Sequence, residues 1–197
     1  MFYKHKNKIN FIKIEKGDLD SLKQLKDESW FGTVNTACLN MTEKEKWFEK
    51  ISGDKSSLFL MAHLADAAYC MHPAVGLYGI TDIDPVSQSC LFTHSIFEQY
   101  RGKGYGKRTL EAGIDLTFEM LNIHRIETWI LSNNHAEIKS TLAVGFVEEG
   151  MKRQAVYKCG EFLDCKLFGL LRDEWKNSDR VKQLGQPCNT SYKPKCQ

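Results

Sequence analysis

Apolar residues fall along this chain in two kinds of block, runs of strand length and stripes at helical spacing, and their succession predicts the elements. Ile9 to Ile14 suits a short strand, and Asp18 then caps a helix that carries Leu19, Leu22 and Leu25 on one face. A second helix is marked by the capping-box pattern Thr42-Glu43-Lys44-Glu45, by the stripe of Trp47, Phe48 and Ile51, and by Gly53 at its end. Leu58 to Leu64 and Ala74 to Ile80 are further strands, and Thr81 to Ser87, with Asp82, Asp84 and Pro85, reads as a turn. The run Leu91 to Phe97 precedes a glycine-rich segment and a helix with Leu110, Ile114, Phe118 and Leu121 on one face. Ile123 to Leu131 alternates, placing Glu127, Trp129 and Leu131 on a common side of a strand. Phe146 to Lys158 and Phe162 to Leu171 predict a hairpin that turns around Cys159 and Gly160. After Trp175 the periodicity stops. Residues 176–197 are polar, hold Gly185, Pro187 and Pro194, and read as a flexible tail. Residues 1–175 form one domain in this reading, since a 197-residue chain with 42% hydrophobic residues can bury a single sizeable core.

The segment Gln99-Tyr100-Arg101-Gly102-Lys103-Gly104-Tyr105-Gly106-Lys107-Arg108 stands between a strand and a helix. Three glycines let the backbone turn tightly and come close to a ligand, while main-chain N–H groups and the positive end of a helix dipole point at an anion. Phosphate is the natural guest. A Walker A loop does not fit, because Gly106 follows Gly102 four residues on rather than five and Arg108 stands where a hydroxyl is needed. A dinucleotide fingerprint would require its third glycine where Lys107 stands. The remaining alternatives are a solvated basic turn or a nucleic-acid patch, since four of the eight residues from Arg101 to Arg108 are Lys or Arg.

This loop resembles motif A of the GNAT N-acetyltransferase superfamily: Gln or Arg, two free positions, Gly, one free position, then Gly or Ala. Arg101, Gly104 and Gly106 occupy the fixed positions. A second segment, Asn134 to Phe146, resembles motif B, an Asn at the head of a helix that ends in Gly-Phe; Asn134, Gly145 and Phe146 are in register. Val147 to Arg153, Gly160 to Asp164 and Leu170 to Trp175 look like the tail of the Rim-type branch, which includes ribosomal-protein N-terminal acetyltransferases and related amine acetyltransferases. The resemblance covers roughly residues 9–175.

It implies an α+β (α/β) fold, a mostly antiparallel mixed sheet of six to seven strands flanked by about four helices in three α-β-α layers. It also implies acetyl-CoA as co-substrate, held by the backbone at Ile96 and by Arg101, Gly102, Lys103, Gly104, Tyr105, Gly106 and Asn134; no metal is expected, because no His or second Cys pair stands at zinc-ligand spacing around Cys159 and Cys165. The acetyl group would pass to a primary amine by direct attack in a ternary complex. A protein N-terminus, a small amine and an amino sugar all remain open as acceptors. The alternative is a catalytically degenerate acyl-CoA-binding or sensor module. In the family the two N-terminal helices shape the acceptor side, so Trp30, Phe31, Trp47 and Phe48 either line a substrate slot or pack as core aromatics.

Deprotonating an ammonium calls for a base in a semi-buried cleft. His94, mid-strand before the loop, has a suitable intrinsic pKa, and Glu127, between apolar neighbours, would be raised by desolvation. Glu98 adjoins the loop and is expected to be exposed. For the general acid the chain departs from the family: Thr141 stands where many members carry Tyr, and Glu137 where Rim-type members carry Ser. Glu137, Thr141, Tyr157 or water are the substitutes. Glu137 also fits a first-turn carboxylate placed near the helix dipole.

Charge and cysteine usage narrow the setting. Lys and Arg number 27 against 25 Asp and Glu, a net charge of +2, which gives no global drive toward nucleic acid or a membrane. Seven cysteines, an odd number without Cys-x-x-Cys, read as reduced intracellular thiols. The basic N-terminus lacks the apolar core of a signal peptide, and no run approaches the roughly 18 apolar residues of a membrane span. A cytoplasmic protein, with a homodimer left open, is expected.

Overall fold

The computed structural model describes residues 2–34, 40–65 and 74–178. Eight strands form one sheet: β1 Phe2–His5, β2 Ile9–Lys13, β3 Leu58–Leu64, β4 Ala74–Asp84, β5 Ser89–Ile96, β6 Arg125–Leu131, β7 Val147–Lys158 and β8 Glu161–Leu171, in the order β1-β2-β3-β4-β5-β6-β8-β7. Every neighbouring pair is antiparallel except β5–β6. Among the described residues five helices accompany it: α1 Leu19–Ser29, α2 Met41–Gly53, α3 Tyr105–Met120, α4 His135–Ala143 and α5 Arg172–Asn177.

Alternation along the central strands builds two cores. On one face Phe11, Leu60, Ala62, Tyr78 and Phe92 pack with Leu110, Ile114 and Phe118 of α3 and Trp175 of α5. On the other, Met61, Phe59 and Leu77 meet Leu19, Leu22 and Leu25 of α1 and Trp47, Phe48 and Ile51 of α2. The result is the three-layer α-β-α arrangement expected, with one strand and one helix beyond the expected numbers.

The additional strand is β1. At four residues it is too short for its alternation to stand out, but His5 is buried, with its Nε2 2.9 Å from a carboxylate oxygen of Asp115 in α3. The other oxygen of Asp115 accepts the Trp175 indole N–H at 2.7 Å, so one buried carboxylate ties together β1, α3 and α5. Burying a charge is tolerable only with such partners.

Local chemistry shifts several expected boundaries. The capping box of α2 lies two residues earlier than Thr42: Asn40 Oδ1 accepts the Glu43 amide at 2.9 Å, and the Glu43 carboxylate accepts the Asn40 amide at 2.8 Å. Asp18 precedes α1, but its carboxylate accepts the amide of Glu15 rather than one from the helix. β4 runs on to Asp84 through an irregularity at Asp82, which has positive φ, and Asp84 Oδ1 then holds the amides of Val86 and Ser87. Helix α5 continues to Asn177, past the expected start of the tail; residues 179–197 lie outside the described residues. No helix among the described residues is long and apolar enough to cross a membrane.

Gly113, in the middle of α3, is required by packing. A Cβ there would lie 2.3 to 2.5 Å from the ring of Tyr78, which is fully buried and bonded through its hydroxyl to Thr117. Gly113→Ala is expected to destabilise by about 1–3 kcal/mol, since overpacking forces the ring or the helix to move. In thermal unfolding that is a Tm lower by roughly 2–10 °C for a domain of this size; an unchanged Tm would show that α3 does not sit this close to β4.

Candidate active site

β5 and β6 pair in parallel only where Ser89, Cys90 and Leu91 meet Arg125, Ile126 and Glu127. Beyond that point β5 stays with β4 as far as Ile96, and β6 stays with β8 as far as Leu131. The two strands separate, and a cleft of about 630 Å³ opens between them. β5 contributes Leu91 to Ser95 to its lining and β6 contributes Thr128 to Ile130; β3, β4, α1 with the turn after it, α2 and the head of α4 supply the rest. At the point of divergence the Thr128 hydroxyl donates to the Phe92 carbonyl at 3.3 Å, the last cross-link between the two strands.

The glycine loop follows β5 directly. A 3₁₀ turn over Glu98–Tyr100 leads into it, Gly102 and Gly104 adopt φ of 71° and 81°, and α3 starts at Tyr105. The side chains that make the loop basic also hold its shape. Arg101 donates through Nε to the Ile96 carbonyl and through Nη2 to the Glu28 carbonyl, each at 3.0 Å, and Lys103 donates to the Gln99 carbonyl at 2.8 Å. Lys107 pairs with Glu111, and Arg108 turns away to the Asn7 carbonyl. Four cations engaged in this way are a poor nucleic-acid patch. What the loop offers an anion is its backbone, because the first-turn amides of a helix have no intrahelical acceptor. Cβ atoms added at Gly102 or Gly104 would meet nothing within 4 Å, so the space over the loop is open to a ligand. A pyrophosphate fits there, and the cleft between the strands offers a path for the extended arm of acetyl-CoA.

His94 lies where cleft and loop meet. Its side chain is 3% exposed and lines the cleft, and its Nε2 backs onto the first turn of α3, 3.9 Å from where a Cβ of Gly106 would be. Nδ1 lies 2.9 Å from Oε1 of Glu137, in the first turn of α4, but without the alignment of a hydrogen bond. The contact is therefore a close electrostatic pairing. Burial disfavours the imidazolium, yet the Glu137 carboxylate outweighs it and holds the His94 pKa above its ordinary value.

Asn134 caps α4 as expected, accepting the Glu137 amide at 3.2 Å, but its Nδ2 donates to the Gly32 carbonyl at 2.9 Å. Both ends of the amide are thus occupied by the chain, and Asn134 fastens the turn after α1 to the head of α4. Lys158 reinforces the same turn by donating to the carbonyls of Trp30 and Phe31.

Other expected residues fall elsewhere. Glu127 is not among the residues lining the cleft; its carboxylate is 38% exposed and bonded to Arg125, which also binds Glu149. The Arg125 two residues before it on the same strand face was the sequence signal for this ion pair. Thr141 is fully buried away from the cleft, its hydroxyl without a hydrogen-bond partner among the described residues. Tyr157 packs on Phe162 at the exposed hairpin tip. Glu98 is exposed, as expected. Of the four aromatics, Trp47 lines the cleft while packing on Phe59, Trp30 stands edge-on to the exposed Phe31 outside the lining, and Phe48 belongs to the second core. Lys44 of α2 was not singled out by the sequence, yet it is buried and lines the cleft. Cys90, Cys159 and Cys165 are free thiols, with burial pushing Cys90 up to about 12. Among the described residues no cluster of His, Cys, Asp and Glu could hold a metal.

Comparison with known proteins agrees with this geometry. Residues 8–147 match the model of the acetyltransferase (GNAT) domain. A spermidine N(1)-acetyltransferase of Vibrio cholerae is 26% identical over 103 residues, 52% of this chain and 60% of that protein. A putative ribosomal N-acetyltransferase of Bacillus subtilis is 26% identical over 113 residues, 57% of this chain and 59% of its own length. An uncharacterized prophage-derived N-acetyltransferase of Bacillus subtilis is 28% identical over 102 residues, 52% and 58% of the two chains. The chain thus matches 58% to 60% of the length of these curated relatives. Among solved structures, the spermidine N-acetyltransferase of Vibrio cholerae in complex with CoA and spermine superposes with a TM-score of 0.80 at 21% identity, covering 87% of this chain and 100% of that one. That likeness is one of fold. With the domain model matched across most of the chain and the splayed strands and glycine loop in place, the protein belongs to the GNAT acetyltransferase family.

Proposed function

We propose that the protein transfers the acetyl group of acetyl-CoA to a primary amine by direct attack in a ternary complex. The observation that carries this reading is the release of β5 from β6 immediately before a glycine loop that opens a helix, which joins an anion cradle to a cleft. Acetyl-CoA supplies an activated thioester. The chain then has to hold it, deliver a neutral amine and manage protons. The loop amides and the start of α3 hold the pyrophosphate, and the edges of β5 and β6 flank the pantetheine arm. His94 accepts the proton of the incoming ammonium, and Glu137 stabilises the imidazolium that results. Among the described residues no tyrosine lines the cleft, so a water or the His94–Glu137 pair returns the proton to the departing sulfur.

A small-molecule amine is the acceptor we favour over a protein N-terminus, even though the relatives include a putative ribosomal enzyme as well as a spermidine enzyme. The cleft volume falls in the range of small-molecule sites. The buried, unserviceable Thr141 favours the second reading, a protein that binds acyl-CoA without turnover. A thiol-release assay with acetyl-CoA against small amines and peptides with free N-termini separates the three. Turnover of a small amine alone is expected; turnover of peptides alone would move the function to proteins. CoA binding without turnover on any amine would leave a sensor.

A further inference from the structure

Among the described residues the acceptor side of the cleft presents a buried ammonium, the reverse of what a polyamine requires. Its titratable lining among the described residues consists of Lys26 on α1, Lys44 on α2, His94 on β5 and Glu137 on α4. Glu137 is already engaged by His94. Lys44 is only 6% exposed and lies 5.0 Å above the ring of Trp47, another lining residue. Among the described residues it forms no ion pair: the carboxylate whose field reaches it, Asp27, is bonded to Lys23 at 2.6 Å. A buried ammonium without an adjacent carboxylate is unfavourable unless something supplies the missing charge. The glycine loop, where the cofactor phosphates would lie, contributes nothing to this wall.

We propose that the acceptor is an amine that also bears an anionic group, a carboxylate or a phosphate, and that Lys44 binds that anion. This rests on the acetyl-transfer reading above. An amino acid or an amino-sugar phosphate satisfies the chemistry; spermidine, cationic along its length, would bring its charge against Lys44. Trp47 beneath the ammonium gives the anion a flat, partly apolar seat, and the amine at the other end of the molecule faces His94.

Matched acceptor pairs isolate the charge: an amino acid and its amide, glucosamine 6-phosphate and glucosamine, with spermidine as the cationic contrast. For wild type, kcat/KM should favour the anionic member of at least one pair by roughly 10- to 100-fold, the size of a charge-assisted contact in a partly buried site. The ratio should collapse toward unity in Lys44→Met, which keeps the stem against Trp47, and invert in Lys44→Glu. Which pair responds distinguishes carboxylate from phosphate. A preference for spermidine, equal use of both members of every pair, or a ratio unmoved in Lys44→Met overturns the assignment. So does weaker CoA binding in Lys44→Met, which would make Lys44 a cofactor contact. Calorimetric titration of the same pairs into the CoA-saturated protein applies the same criterion without turnover. Anion-dependent binding lost in Lys44→Met would stand even if acetyl transfer failed, and indifferent binding would sink the inference while leaving acetyl transfer intact.

Discussion

Gly104→Glu is expected to abolish acetyl-CoA binding, and the comparison with Gly104→Ala separates two causes. Gly104 adopts φ of 81°, where any L side chain is strained by about 1–2 kcal/mol. Free and bound protein carry that strain alike, so it appears in stability. The alanine variant should unfold at a lower temperature and lose far less CoA affinity than the glutamate variant, because its Cβ meets no protein atom within 4 Å and brings no charge. Glutamate adds a carboxylate to the space where the pyrophosphate would lie. At a separation of about 4 Å and a surface-like dielectric the repulsion reaches about 4 kcal/mol, enough to weaken binding on the order of a thousandfold. Isothermal calorimetry reads this directly. Wild-type affinity in the glutamate variant would remove the phosphate from the loop and the acetyl-transfer reading with it.

His94→Ala should lower kcat/KM by roughly 10²- to 10⁴-fold, the usual contribution of a positioned proton acceptor. The pH profile tests the pairing with Glu137. A base works only when deprotonated, so the wild-type rate should climb as pH rises through the elevated His94 pKa. In Glu137→Gln the carboxylate that raises this pKa is gone while burial, which lowers it, remains. The acidic limb should therefore move to lower pH, and in His94→Ala it should vanish. A limb at the same pH in all three proteins would assign the titration to another group and leave His94 as a core residue.

Much of this was legible in the chain because it depends on neighbours in sequence. The αβ succession, the glycine loop and the cap at Asn134 follow from local spacing. So does the burial of Leu19, Leu22 and Leu25 on one face of α1. The site was legible only in part. His94 and Glu137 each stood out, but their contact is made by the packing of α4 beside β5, and neither residue's surroundings disclose the other. β1 escaped notice because His5 is buried by Asp115, a partner 110 residues away. Lys44 sits in a helix whose apolar stripe reads Trp47, Phe48, Ile51, where a lysine ordinarily marks the wet side; the adjoining α1 and Trp47 close over it. Glu127 is the opposite case. Alternation places it correctly on its strand, but its carboxylate is 38% exposed and bonded to Arg125.

The early parting of β5 and β6 also bears on how the protein persists. A sheet released after three residue pairs is unfinished at its centre, and the backbone groups along the two diverging edges await an outside partner. A bound molecule that presents amides along an extended arm acts as a surrogate strand, and the hydrogen bonds that give it affinity also hold the two halves of the sheet together. Folding and ligand supply then become one equilibrium: at a hundred times the Kd, ligand adds about 2.7 kcal/mol to stability. The folded protein should therefore gain stability as the concentration of acyl donor rises, read as a higher Tm with added CoA.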